Sequence, residues 1–305
     1  MREEEIIEFL RNFLAGRNEG VLVGIGDDAA VVKLGGERIV LTCDTLEEGV
    51  HFLRDYFPLY FLGWKGMAVS ISDIYAMGGE PLYSLVSLGV VEESGVEEIF
   101  RGVKEFSSQF KVEVVGGNLV RSDRWWIEVF SLGRVENPIL RSGAKIGDLI
   151  VITGYPGEAS AGRKVLEEGR NGYSELKERF LKPYPRKEIL EIKEEFSLTS
   201  LIDISDGVGR DLYRILKESE KGAEIFPDYL PISRSLKDFA GEKAFHYFWS
   251  GGEDYELIFT VEKGVNLPSC WKELPLTIIG EITGDVGVIK SGEQILEPAG
   301  YEHFK

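Results

Sequence analysis

Gly24-Ile25-Gly26-Asp27-Asp28-Ala29-Ala30 lies between two apolar runs, Val21-Leu22-Val23 and residues 29–34. Glycine accepts φ > 0 and lets a ligand approach the backbone closely. Two adjacent carboxylates repel each other unless solvent or a cation intervenes. Alone, the stretch reads as a turn between strands with solvated acids. It gains meaning because acids beside Ser, Thr or Gly recur along the chain. They stand in Thr42-Cys43-Asp44-Thr45, Ser72-Asp73, Asp203-Ile204-Ser205-Asp206-Gly207 and Gly251-Gly252-Glu253-Asp254-Tyr255. Hard cations such as Mg²⁺ take oxygen ligands of this kind.

Around the opening stretch, residues 21–25, 29–34 and 38–41 read as strands, the last two joined in a hairpin by Gly35-Gly36. Asp44 then falls at the end of the third strand, and Asp27, Asp28 and Asp44 share one sheet edge. Upstream, residues 3–15 carry a helical apolar stripe. Downstream, residues 58–77 read as a helix opened by Pro58 and stopped by Gly78-Gly79. Ser70, Ser72 and Asp73 interrupt that otherwise apolar segment, which marks Asp73 as more than an exposed acid. A strand over 83–91, a helix over 96–110 and a strand over 112–115 follow, the last ending in a Gly116-Gly117-Asn118 loop. Another strand covers 125–135. Glu136-Asn137-Pro138 reads as a linker, dividing the chain into domains 1–136 and 137–305.

In the second domain a strand over 149–153 precedes a helix over 158–168, and a helix over 186–196 follows. A strand over 201–205 then feeds a helix over 208–219 through Asp206-Gly207. A strand-to-helix switch carrying Asp and Ser is a natural ligand position. His51, taken by itself, reads as a surface or capping residue more readily than as a ligand.

The chain has 305 residues, a formal net charge of −17 and two cysteines. No basic run offsets that charge, which disfavours nucleic-acid binding. No apolar run spans a bilayer, so no membrane partner is expected. Cys43 and Cys270 are isolated and suit a reducing compartment. The acidic start lacks the form of a signal peptide, and we expect a cytoplasmic protein. There is no Gly-Lys dipeptide for a Walker A loop, no His-Arg-Asp, and no His-Glu-x-x-His. Glycine-rich turns with scattered Asp point to phosphate chemistry assisted by several Mg²⁺.

Five of these stretches, extended to Asp44-Thr45-Leu46-Glu47-Glu48-Gly49-Val50-His51-Phe52 and Ser72-Asp73-Ile74-Tyr75-Ala76-Met77-Gly78-Gly79, together resemble the thiamine-monophosphate kinase family. That family belongs to the aminoimidazole-ribonucleotide synthetase superfamily. Each motif alone is weak; five in order along nearly the whole chain are specific. The resemblance implies a two-domain α/β fold of α+β type. Its N-terminal sheet domain would form a barrel with a dimer mate, beside a C-terminal α/β domain. It implies a homodimer that uses ATP and several Mg²⁺ to convert thiamine monophosphate to thiamine diphosphate.

Carried over residue by residue, the resemblance makes Asp27, Thr42, Cys43 (through its carbonyl), Asp44, Asp73, Asn118, Asp203 and Asp206 metal ligands. Gly117, Asn118, Arg141 and Ser205 become ATP contacts, with Arg141 as the charge stabiliser. His51, Glu253 and Tyr301 become thiamine-phosphate contacts. The family usually has Asp where this chain has Asn118, whose amide oxygen would ligate without charge. A phosphate acceptor is already ionised near neutral pH, so no catalytic base is assigned. In-line positioning and charge stabilisation then carry the reaction. The alternatives are another ATP-using synthetase of the superfamily, of purine-pathway type, or a non-enzymatic acidic metal-binding module.

Overall fold

The computed structural model describes residues 3–14, 16 and 18–303; residue 15, at the end of the expected first helix, lies outside them. The first part holds α1 (Glu3–Phe13), β1 (Val21–Val23), β2 (Ala30–Leu34), β3 (Glu37–Glu47), α2 (Leu59–Ala76), β4 (Glu80–Val90), α3 (Ser94–Phe110), β5 (Glu113–Arg121) and β6 (Trp126–Arg134). Its strands form one sheet in the order β1-β2-β3-β6-β4-β5. β2 and β3 make the expected hairpin, with Leu34 opposite Glu37. β4 and β5 run parallel, with α3 as the covering connection that parallel strands require.

Two expectations change. β3 does not stop at residue 41: pairing with β6 continues from Ile39 to Glu47, so Asp44 lies inside a strand. Nor is Gly116-Gly117-Asn118 a loop. It continues β5, opposite Leu85, Val86 and Ser87 of β4. The glycines hide the strand pattern, but ladder hydrogen bonds come from the backbone and do not need side chains.

The second part holds β7 (Leu149–Thr153), α4 (Glu158–Glu167), α5 (Ser174–Leu181), α6 (Ile189–Glu195), β8 (Leu198–Ile204), α7 (Val208–Ser219), β9 (Gly222–Ile225), α8 (Arg234–Ala240), α9 (Ala244–Ser250), β10 (Glu256–Val261), β11 (Cys270–Trp271), β12 (Leu274–Thr283), β13 (Ile289–Ser291) and β14 (Gln294–Ile295). The sheet order is β14-β13-β9-β12-β7-β10-β8, with β11 paired to β12. β7 and α7 match their expected spans; α5, α8 and β9 are too short to have left a readable period. No described helix is long and apolar enough to cross a membrane.

α2 decides how the two parts meet. Nearly all of it is buried, as a helix that is apolar all round must be. Toward the first sheet, the Ser70 hydroxyl donates to the Val129 carbonyl of β6 at 3.0 Å. Toward α3 the contact is backbone on backbone. A Cβ on Gly63 would stand 1.9 Å from the Ile99 carbonyl oxygen, and one on Gly102 would stand 2.0 Å from that of Tyr60. Toward the second part, Trp64 Nε1 donates to the Pro183 carbonyl at 2.8 Å. One hydrophobic cluster therefore runs from Phe106 and Ile127 through Trp64 and Ile71 to Leu201 and Leu257. Side chains of this size each contribute about 1.5–3 kcal/mol when buried.

Candidate active site

The Gly24–Ala30 turn leaves β1 and enters β2, and Arg141 clasps it. Arg141 Nη2 pairs with Asp28 Oδ1 at 2.5 Å, and Nε lies 3.7 Å from Asp27 Oδ1. The Arg141 backbone N–H donates to Asp27 Oδ2 at 3.3 Å. Gly26 has φ +122°, and a Cβ there would fall on the Arg11 guanidinium, 1.7 Å from Nη2. Arg11 Nε in turn donates to the Ile25 carbonyl at 2.8 Å. The turn is thus held from both sides, by α1 and by the segment after β6.

β3 supplies Thr42 and Asp44 on one face, as alternate strand residues must be. Thr42 Oγ1 donates to Asp73 Oδ2 of α2 at 2.5 Å, and Asp44 is within side-chain hydrogen-bond reach of Asp73. The next residue of α2, Ser72, donates to Asp203 Oδ2 of β8 at 2.7 Å. Among the described residues, Asp28, Asp73 and Asp203 bring one carboxylate oxygen each within 4.8 Å of one another. Oδ2 of Asp28 and Oδ2 of Asp44 are buried without a hydrogen-bond partner.

Burial, and after it the charge of Asp28, pushes Asp27 up to about 6 despite Arg141. Burial also raises Asp44, Asp73 and Asp203, with neighbouring acids adding to it. A group of buried, mutually repelling carboxylates with two orphaned oxygens fits a hard divalent cation. Such an ion would reverse the sign of the local field.

The loop after β8 is built around a residue that the sequence reading passed over. Asp211, in the first turn of α7, accepts the backbone N–H groups of Ser205, Asp206 and Gly207 at 3.1, 3.0 and 3.0 Å. Burial raises it to about 7, against the pull of Arg214. Arg214 also takes Asp206 Oδ2 at 2.7 Å, and Asp206 lines the same cavity as Asp27, Asp28 and Asp44. The Tyr301 N–H donates to the Asp206 carbonyl at 2.9 Å, which ties the C-terminal segment to this loop.

His51 accepts the Glu47 N–H on Nδ1 at 3.0 Å. Its ring lies 5.6 Å from that of His303, which stands 4.9 Å from the Tyr301 ring. Burial lowers the His51 pKa, with the nearby Glu253 charge opposing that shift. A single cavity of about 1230 Å³ is lined by Asp27, Asp28, Thr42, Asp44, Arg141, Ser205 and Asp206, and also by His51, Glu253 and Tyr301. Asp73 and Asp203 stand behind this wall and complete the acid group.

Two expected residues, Gly117 and Asn118, lie away from the acid group. The Cys43 side chain points to the sheet face opposite Thr42 and Asp44, which keeps its sulfur out of the acid group and leaves the expected carbonyl contact untouched. Asn118 shares a face with Ser87, Glu128 and Thr45, its successive partners across the sheet. That is the Cys43 face. β4 and β6 also separate β5 from β3, about 14 Å at ordinary strand spacing. Gly117 and Asn118 therefore do not reach the acid group of their own chain. Asp28 had no assigned role; its place beside Asp27 was the only signal in the sequence.

The family model for the N-terminal domain of AIR synthase related proteins matches residues 26–135. A thiamine-monophosphate kinase from Aquifex aeolicus is 36% identical over 291 residues, covering 92% of both chains. The same-named protein from Bacillus subtilis is 36% identical over 312 residues, covering 94% of this chain and 95% of its own. The solved structure of AaThiL complexed with AMPPCP and TMP superposes with a TM-score of 0.90 at 34% identity, covering 99% of this chain and 97% of that one. With identity at this level along nearly the whole length, the chain belongs to the thiamine-monophosphate kinase family.

Proposed function

We propose that this chain transfers the terminal phosphoryl group of ATP directly to the phosphate of thiamine monophosphate, giving thiamine diphosphate. The observation that carries the reading is the single cavity, which joins an acid group built from three separate segments to His51, Glu253 and Tyr301. Asp27, Asp28, Asp44, Asp73 and Asp203 would hold several Mg²⁺, with Thr42 and Ser72 orienting Asp73 and Asp203. Bound Mg²⁺ would neutralise the phosphate oxygens. Arg141 keeps Asp27 and Asp28 in register and lines the cavity. Asp206 and Ser205 sit on the loop that Asp211 shapes. His51 and Glu253 would bind the thiamine end, and Tyr301 would cover it. No residue acts as a base, because the attacking phosphate oxygen is already ionised (second pKa about 6).

The outer face of the first sheet, opposite α2, leaves Tyr83 and Leu85 of β4 exposed. We infer a homodimer built on that face, in which Gly117 and Asn118 serve the site of a second copy. The test is a substrate panel with Mg-ATP. Thiamine diphosphate should form from thiamine monophosphate, and purine-pathway precursors should release no ADP. The reverse pattern would overturn the reading.

A further inference from the structure

α2 carries a second charged residue that none of the roles above uses. The Lys65 side chain is 1% exposed, and its Nζ lies 2.9 Å from Glu253 Oε1. Aromatic rings stand beside it, and the charges of Arg163 and Asp254 also reach it. Nζ stands 3.8 Å from the Phe180 centroid and 5.9 Å from that of Phe57, where the ring faces favour a cation. Burial lowers the Lys65 pKa, and the Glu253 charge opposes this. A buried ammonium is costly unless it is partnered. Lys65 has an ion-pair partner, but that partner is not a core residue.

Glu253 lines the cavity. It also has φ +70°, a region that residues with a side chain rarely adopt. Several contacts enforce this. Its N–H donates to the Ser205 carbonyl at 2.7 Å. The next residue, Asp254, accepts the N–H groups of Gly157 and Ala159 at 2.7 and 3.0 Å. The backbone is therefore pinned at α4 and at the loop after β8, and Lys65 fixes the side chain from the core side. With Oε1 on Lys65, Oε2 is left for a ligand.

We propose that Lys65 is a positioning residue that holds the Glu253 carboxylate at the cavity wall for the thiamine end of the acceptor, where the thiazolium charge and the pyrimidine amine lie. This rests on the reading of Glu253 as an acceptor contact. An ion pair that merely ties α2 to residues 251–255 would affect stability and leave acceptor binding alone.

Lys65→Met keeps a long apolar stem between Phe57 and Phe180 and removes only the charge. With Mg-ATP saturating, KM for thiamine monophosphate should rise about tenfold, the worth of one charged contact. KM for ATP should stay within twofold. Glu253→Gln should show the same split, and the double variant should be no worse than Glu253→Gln alone. If Glu253→Gln raises the acceptor KM while Lys65→Met only lowers the melting temperature, the proposal is overturned and the reading of Glu253 survives. If Glu253→Gln leaves the acceptor KM unchanged, the reading itself fails and takes the proposal with it. Should Lys65→Met not fold, Lys65→Gln removes the charge but keeps a polar end on the stem. A rise in acceptor KM like that of Glu253→Gln supports the proposal, and an unchanged value overturns it.

Discussion

Ser72 of α2 donates its hydroxyl hydrogen to Asp203 of β8 across 2.7 Å. The next residue, Asp73, accepts from Thr42 of β3 at 2.5 Å. Consecutive helix residues point about 100° apart, so one turn of a buried helix reaches acids and hydroxyls on both sheets. The site has this helix as its axle.

Removing that donor should be felt in both folding and turnover. Ser72→Ala leaves a buried carboxylate one hydrogen bond short, and stability should fall by about 1 kcal/mol. kcat/KM for ATP should drop about tenfold, with KM for thiamine monophosphate little changed. Urea unfolding and steady-state kinetics measure the two effects. Parent-level turnover would mean that Asp203 keeps its geometry without Ser72.

The acid group should oppose folding when no cation is present. Asp27 rises from 3.8 to about 6 on folding, so the native state holds that proton more tightly than the unfolded chain. Its contribution favours folding below about pH 4 and is lost as pH rises through 6. The swing is on the order of 3 kcal/mol. Asp44, Asp73 and Asp203 shift the same way. In a chelating buffer, Asp73→Asn should therefore raise the melting temperature at pH 7.5 by several degrees and change it little at pH 5. It should also abolish turnover. Melting curves at the two pH values, with and without Mg²⁺, check this; a lower melting temperature at pH 7.5 would contradict it.

Arg141 touches Asp27, Asp28 and the Gly26 carbonyl. Arg141→Met should let the two acids spring apart and remove a cation from the cavity wall. We expect kcat to fall by about 10²–10³, even at saturating Mg²⁺. Single-turnover measurements isolate the chemical step. A loss below threefold would limit Arg141 to bracing the turn.

Leu85 is exposed on the outer face of the first sheet. Leu85→Asp places a charge there and should yield monomers by light scattering, with most activity lost. Asn118→Asp should lower the Mg²⁺ midpoint in the dimer, because a carboxylate adds the Coulomb attraction that an amide lacks. In the Leu85→Asp monomer the same change should leave the residual Mg²⁺ midpoint unmoved. A shifted midpoint there would mean that Asn118 acts within its own chain.

Much of the fold was legible in the sequence. The span of α2 came within a residue at each end, because an apolar run closed by Pro58 and Gly78-Gly79 has few alternatives. β7 and α7 were equally plain. β3 and β5 were cut short because their outer halves carry acids and glycines, which weaken a period-two pattern without weakening the ladder. Lys65 also left a trace. Apart from Asp73 it is the only charged residue in α2, and a lone cation in a buried helix needs an anion from somewhere.

By itself, then, the sequence determined which residues are acids, which segments are buried, and in what order the glycine-flanked stretches come. These follow from composition and from periods of two and 3.6, which act over a few residues. Only the tertiary structure decided which acids meet. Residues 28, 73 and 203 converge because α2 is clamped between two sheets. The same strand alternation that turns Asp44 inward turns Cys43 outward and sets Asn118 on that outer face. Those outcomes depend on contacts between residues far apart in the chain, where local preference has no reach.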